Sequence, residues 1–347
     1  MNLPMAPTAD ELTADQIAEL HEEVRALAAE RDAVILAHNY QVPEVQDIAD
    51  YVGDSLGLSR MAAMAEQPNI VFCGVHFMAE TASVLSPEKH VYIPDVDAGC
   101  SLADSITPEQ LRAWQAKHPG AITVMYVNTT AEVKALTDYC VTSSNAAAVV
   151  EHIYREHGDD TEILFGPDMF LGAYVEKVVG RPMHVWDGEC HVHAGIRPSD
   201  IDTVRAAHPG ADFLIHPECG CSTSVMEYVA AGDIDTTGVH MLSTGGMLQY
   251  AKAAETDFQA PDADDAPARP RRTAIVATET GMLHPLRMAA PDVDFVAANE
   301  RAACVYMKMI TLPKLRDCLR DLTGEVKVPA DLAAKAKIPI ERMVAIG

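Results

Sequence analysis

Short, almost unbroken apolar runs alternate along this chain with longer stretches of mixed polarity. The runs cover 34–37, 70–73, 91–94, 122–127, 163–165, 184–186, 213–215, 239–242, 274–277 and 295–298, and Gly, Pro, Asn or Asp bound them. Apolar runs without alternation predict strands buried on both faces. Segments of helical length lie between them, at 46–66, 108–117, 131–136, 146–157 and 222–231. This alternation predicts an α/β fold of short parallel sheets covered by helices in three layers.

A long period overlies the pattern. Cys100 and Cys190 lie 90 residues apart, and each is followed six residues on by Ile, eight on by Pro and eighteen on by His-Pro-Gly-Ala. These are Ile106, Pro108 and His118, then Ile196, Pro198 and His208. A third copy opens at Cys304, with Ile310 six residues on and Pro313 nine. His38, Asn128 and Glu218 keep the same 90-residue spacing, each just past an apolar run. A period this long predicts three homologous units in a pseudo-threefold arrangement, each supplying one cysteine and one strand-end polar residue to a common centre. Three thiolates meeting there could hold an iron–sulfur cluster and leave one iron without a protein ligand. The predicted organisation is a helical extension over 1–30, then repeats over 31–115, 116–205 and 206–322. A Pro-, Asp- and Ala-rich insertion at 257–272 interrupts the third repeat, and 323–347 forms a tail.

Composition narrows the function. A net charge of −25, from 51 acidic and 26 basic residues, removes the basic footprint that DNA or RNA binding needs. The first thirty residues lack a basic start followed by an apolar core, and no eighteen-residue apolar run exists. These features predict a cytoplasmic chain with no signal peptide and no membrane span. In that setting the eight cysteines are expected as reduced thiols or metal ligands, not disulfides. Cys73, Cys140, Cys219, Cys221 and Cys318 fall off the repeat and are read as non-ligands, the first two and Cys318 as small buried hydrophobes.

Several polar clusters follow strands. His38-Asn39-Tyr40 suits acid–base work or carboxylate binding, and Asp54-Ser55 suits either a ligand or a plain helix cap. Hydroxyl-rich turns at Thr129-Thr130, Thr142–Asn145 and Ser243-Thr244-Gly245-Gly246 open helices, where backbone N–H groups and the helix dipole favour anions. His191 and His193 flank Cys190, and His216 with Glu218 could form an acid–base pair. Two alternatives remain at this level. A non-catalytic iron–sulfur sensor or electron carrier would normally use four protein ligands. A zinc hydrolase would need paired-His spacing on a helix, which this sequence lacks.

The segments Asp54-Ser55-Leu56, 73–82 (Cys-Gly-Val-His-Phe-Met-Ala-Glu-Thr-Ala), Ala98-Gly99-Cys100-Ser101, Tyr126–Thr129, Thr142–Asn145 and His216-Pro217-Glu218-Cys219 resemble those of the quinolinate synthase family. The resemblance runs from about residue 31 to about 322. It implies three α/β domains, each giving one cysteine to a [4Fe-4S] cluster, here Cys100, Cys190 and Cys304. The implied transferase reaction condenses iminoaspartate with dihydroxyacetone phosphate, releases phosphate and two waters, and gives quinolinate, the pyridine precursor of NAD. The resemblance assigns His38, Ser55, Tyr126, Asn128, Ser143, His193, His216, Glu218, Ser243 and Thr244 to substrate binding and acid–base steps. It makes Tyr40 a mobile tyrosine near the cluster. Tyr40, His193 and Glu218 are the candidates for proton transfer, and the open iron for a Lewis acid. Transient contact with an L-aspartate-oxidising enzyme would deliver the unstable imine.

Overall fold

The structure, a computed structural model, describes residues 12–222, 226, 238–259 and 272–346. Three four-stranded parallel sheets carry it, as the sequence predicts. The first contains β1 (Ala33–His38), β2 (Tyr51–Gly53), β3 (Asn69–Cys73) and β4 (His90–Tyr92). The second contains β5 (Ile122–Tyr126), β6 (Tyr139–Val141), β7 (Ile163–Gly166) and β8 (His184–Val185). The third contains β9 (Asp212–Ile215), β10 (Val239–Met241), β11 (Arg272–Ala277) and β12 (Val293–Ala297). All three share one order, β2-β1-β3-β4, β6-β5-β7-β8 and β10-β9-β11-β12. Successive strand residues point to opposite faces. Burial of every residue from Val34 to His38, Ile70 to Cys73 and Ile163 to Gly166 therefore requires cover on both faces of the first two sheets.

The 90-residue repeat has a physical meaning in each copy. Ile106, Ile196 and Ile310 are all fully buried anchors. Pro108 and Pro198 open the helices Pro108–Gln115 and Pro198–Ala207, where a missing N–H costs nothing. In the third copy Pro313 is one residue later because the helix Leu312–Asp321 takes it at its second position. The His-Pro-Gly-Ala turn then reverses the chain into β5 and β9. Gly120 and Gly210 sit there at φ +92° and +83°, where a side chain would be strained.

The structure corrects the reading of 46–66 as one helix. It holds two helices, Pro43–Ile48 and Ser55–Met64, separated by the edge strand β2. The break is pinned by Asp50, whose Oδ2 accepts the Ile35 amide at 2.8 Å. Asp138 does the same for Thr123 at 2.8 Å just before β6, a second edge strand absent from the sequence reading. The predicted helix over 222–231 lies mostly outside the described residues. So does 260–271, the greater part of the predicted insertion.

The chain divides into two compact units, Met1–Glu189 with Cys304–Gly347, and Cys190–Ala303. The first unit holds the first two sheets and is closed by the helix Ala330–Ala345, which packs on β6 and on the helices His76–Leu85 and Ala131–Lys134. Arg60 Nη2 donates to the Val344 carbonyl at 2.8 Å, and the Arg342 guanidinium stacks 4.8 Å from the Tyr139 ring. No helix among the described residues is long and apolar enough to cross a membrane.

Candidate active site

In the first unit, the polar candidates collect at the carboxyl ends of β1 and β5. His38 ends β1 and is buried, and Tyr40 packs edge-on against it with ring centroids 4.6 Å apart. The Tyr40 amide donates to His38 Nδ1 at 3.2 Å, which fixes that nitrogen as an acceptor. Lys308 Nζ donates to the Tyr40 carbonyl, so the residue is tied to the segment that follows Cys304. The Cys100 segment meets the same region: a Cβ on Gly99 would lie 3.7 Å from the Tyr306 ring.

Ser55 is the first residue of its helix, and Asp54 is the cap, with Oδ1 accepting the Gly57 amide at 2.8 Å. The other oxygen, Oδ2, accepts from Ser144 Oγ at 2.8 Å. That bond joins two positions 90 residues apart and brings the Ser55 helix start beside the Ser143 turn. Asn145 organises the turn, since its Oδ1 accepts the Thr142 amide at 2.8 Å. Its Nδ2 donates to the carbonyls of Met343 and Ile346 at 2.9 and 2.7 Å. Tyr126 is buried at the end of β5, and the Asn128 Oδ1 beyond it is buried with no hydrogen-bond partner among the described residues. A buried acceptor in that state can take a donor from a ligand or from an ordered water.

Two residues of this region escaped the sequence reading. Lys134 is completely buried, donates to the Thr129 carbonyl, and stands 5.3 Å from the Phe77 ring centroid. Burial pulls its ammonium below the ordinary lysine value, while Cys140, Glu80 and Cys100 oppose that shift. Glu80 caps the same short helix, accepting the Ala131 amide at 3.0 Å. Burial raises its carboxyl above the ordinary range, against the pull of Lys134 and His76.

In the second unit, His193, His216 and Glu218 form one buried group, each no more than 3% exposed. Glu218 Oε2 lies 3.4 Å from His193 Nδ1, and its Oε1 lies 3.6 Å from His216 Nδ1. The imidazoles stack with centroids 4.7 Å apart. His193 Nε2 contacts Thr278 Oγ1 at 2.8 Å, a strand-end threonine after β11 that was also missed. Burial, reinforced by His193, pushes His216 down to about 3 against the opposing pull of Glu218, so it is a neutral base near pH 7. Ligand atoms of Cys190, His193 and Glu218 lie within 4.8 Å of one another. Ser243 caps the helix Thr244–Gln259, its Oγ accepting the Gly246 amide at 3.2 Å, and Thr244 is buried at the first turn.

The cysteines sort by environment. Burial holds Cys140 and Cys318 up to about 12 and Cys73 well above the ordinary value, so all three are neutral thiols. Cys100, Cys190 and Cys304 are instead partly exposed and outside any disulfide. Their thiols are thus accessible, unlike those of the three buried cysteines. The expectation that every cysteine is reduced is corrected: Cys219 and Cys221 form a buried disulfide, their Cα atoms 5.1 Å apart across a single glycine.

The profile of the quinolinate synthetase A protein family matches residues 22–345. The chain belongs to that family. It is 55% identical over 326 residues to the quinolinate synthase of Mycobacterium tuberculosis (strain ATCC 25177 / H37Ra), covering 94% of this chain and 88% of the relative. It is 54% identical over 334 residues to the quinolinate synthase of Mycolicibacterium paratuberculosis (strain ATCC BAA-968 / K-10), covering 96% and 90%. The quinolinate synthase of Mycobacterium sp. (strain KMS) is 52% identical over 344 residues, covering 98% and 96%. Family membership thus spans both units, and with them every strand-end group described above.

Proposed function

We propose that this chain is a cytoplasmic quinolinate synthase that condenses iminoaspartate with dihydroxyacetone phosphate to give quinolinate, phosphate and two waters. Its cofactor is a [4Fe-4S] cluster held by Cys100, Cys190 and Cys304, one from each of three repeat domains over 31–115, 116–205 and 206–322. The observation that carries this reading is the buried His193–Glu218–His216 group beside Cys190. It supports proton transfer next to a thiolate ligand, which an electron carrier would not require.

The overall conversion is redox neutral, so the work is positioning and proton transfer. The helix starts at Ser55, Ser143, Ser243 and Thr244 supply hydroxyls and N–H groups for the carboxylates and phosphate. Tyr126 and Asn128 add donors and an acceptor at the end of β5. The nucleophilic carbon of the enamine tautomer bonds to the phosphate-bearing carbon, and the C–O bond to phosphate breaks. A base then moves a proton between neighbouring carbons, and Tyr40, His193 and Glu218 are the groups for it. His216 stays neutral and can orient Glu218 by hydrogen bonding, and Glu218 can exchange a proton with His193. A cluster bound through three thiolates leaves one iron free to act as a Lewis acid toward a departing hydroxyl. The imine is short-lived, so an L-aspartate-oxidising enzyme in transient contact is the proposed source.

The test is anaerobic turnover with enzymatically generated iminoaspartate, reading quinolinate by chromatography. Wild type should form quinolinate, and Cys304→Ala should lose both the brown chromophore and turnover. Retention of full colour and turnover by that variant would refute the ligand set. Colour without any quinolinate in wild type would refute the activity.

A further inference from the structure

The second sheet carries a donor cluster at the end opposite to the groups described above. His118 lies in the turn before β5, Glu162 precedes β7, and His184 opens β8. The backbone fixes all three. The Ile122 amide donates to the Glu162 carbonyl at 2.9 Å, and His184 pairs in register with Leu164. Tyr126 and Asn128 lie at the far end of β5, about 16 Å away at 3.3 Å per strand residue.

One carboxylate oxygen serves both imidazoles. Glu162 Oε2 is 3.5 Å from His118 Nδ1 and 3.5 Å from His184 Nε2. That is long for a hydrogen bond, and this chain makes a short His–Glu contact elsewhere, at 2.8 Å between His90 and Glu325. It matches the separation of two donors on one tetrahedral ion, about 3.4 Å for metal–ligand bonds near 2.1 Å. All three ligand atoms lie within 4.8 Å of one another, and the two imidazole centroids are 4.0 Å apart. The side chains are 24%, 60% and 43% exposed for His118, Glu162 and His184, so an ion can reach them from solvent.

The repeat supplies an internal control. His208 is the counterpart of His118 in the third sheet, 90 residues on. Strand register makes Thr273 and Val296 the counterparts of Glu162 and His184, and both lie with His208 around one cavity. Neither offers a metal donor. The first repeat has Ala28 where His118 would be. Strand register makes His90 and Gln67 the first-repeat counterparts of His184 and Glu162, so each histidine recurs in one other repeat and only the combination of His118, Glu162 and His184 is particular to the second.

We propose that His118, Glu162 and His184 form a binding site for a first-row divalent transition ion, with solvent completing the coordination. Two imidazoles and a carboxylate suit zinc, nickel or cobalt better than magnesium or calcium. The bound ion ties the turn before β5 to the entry ends of β7 and β8.

The test is calorimetric titration of the complete, cluster-loaded chain with Zn²⁺ under anaerobic conditions. Wild type should bind one Zn²⁺ per chain at this site. His118→Ala, His184→Ala and the milder Glu162→Gln should each weaken it by about tenfold or more, the scale of lost metal-site support. His208→Ala should bind like wild type, and Zn²⁺ should raise the melting midpoint of wild type but not of the His118→Ala/His184→Ala variant. Zn²⁺ binding and midpoint shifts that are the same in wild type, Glu162→Gln and the double variant would overturn the proposal, as would no binding by wild type.

Discussion

Asn145 holds the Ser143 turn to the last helix, and its removal has a calculable cost. Asn145→Ala deletes the acceptor for the Thr142 amide and the donor to the Met343 and Ile346 carbonyls. The Ile346 carbonyl lies near the chain end and can take water. The Thr142 amide and the Met343 carbonyl belong to buried residues and are left stranded. Each stranded buried group costs about 1–3 kcal/mol, so the variant should lose about 2–6 kcal/mol. For a unit of this size each kcal/mol lowers the melting midpoint by about 2–4 °C, so a fall of at least about 4 °C is expected. Asn145→Asp keeps an acceptor for Thr142 but sets a carboxylate against two carbonyls, so it should be no more stable than Asn145→Ala. Anaerobic melts followed by far-UV circular dichroism measure both, with quinolinate formation assayed in parallel for a raised KM. A midpoint for Asn145→Ala within about 1 °C of wild type would refute the reasoning, as would an Asn145→Asp variant as stable as wild type.

Three further outcomes are expected. Burial lowers His216 from an ordinary value near 6.5 to about 3, so below pH 6.5 the unfolded chain takes up a proton that the native chain refuses. Native stability should therefore fall by about 1.4 kcal/mol per pH unit between those values. Urea unfolding near pH 7.5 and 5.5 should show the loss in wild type and a smaller one in His216→Asn; equal losses would exclude His216 as its source. Lys134→Met should strand the buried Thr129 carbonyl and lower stability by about 1–3 kcal/mol, read by the same melts; an unchanged midpoint would contradict it. Alkylation of the denatured, cluster-stripped chain without reductant should label six cysteines and spare Cys219 and Cys221; labelling of all eight by mass spectrometry would show that the disulfide is absent.

Central strands were legible because burial on both faces leaves an unbroken apolar run, as in Val34–Ala37 and Ile163–Phe165. The edge strands β2 and β6 were not. Each is three residues long and lies between helices, so Tyr51–Gly53 merged into the pattern of its neighbours. The 90-residue period exposed the helix-opening prolines and the buried isoleucines, since each copy reuses one local solution. It also picked out the three cysteines that are now distinguished by partial exposure. Lys134 stayed hidden because a lysine in a polar-looking helix reads as solvated, and only the fold buries it against Phe77. The link between Asp54 and Ser144 was implicit in the repeat, but a hydrogen bond between the two copies cannot be read from spacing alone. The Glu162 and His184 pair was invisible for a similar reason, because strand register sets which residues stand beside His118.

The first unit is discontinuous in sequence, with 190–303 inserted between its two parts. During translation the ribosome must finish the whole inserted unit before the final helix exists to cover β6 and receive Asn145. At roughly 5–20 residues per second the inserted unit alone takes roughly 6–23 s. Throughout that time the nascent chain carries Cys100 without Cys304 and an uncovered sheet edge. A stall or truncation late in the message therefore leaves the first unit without the helix that covers β6 and receives Asn145.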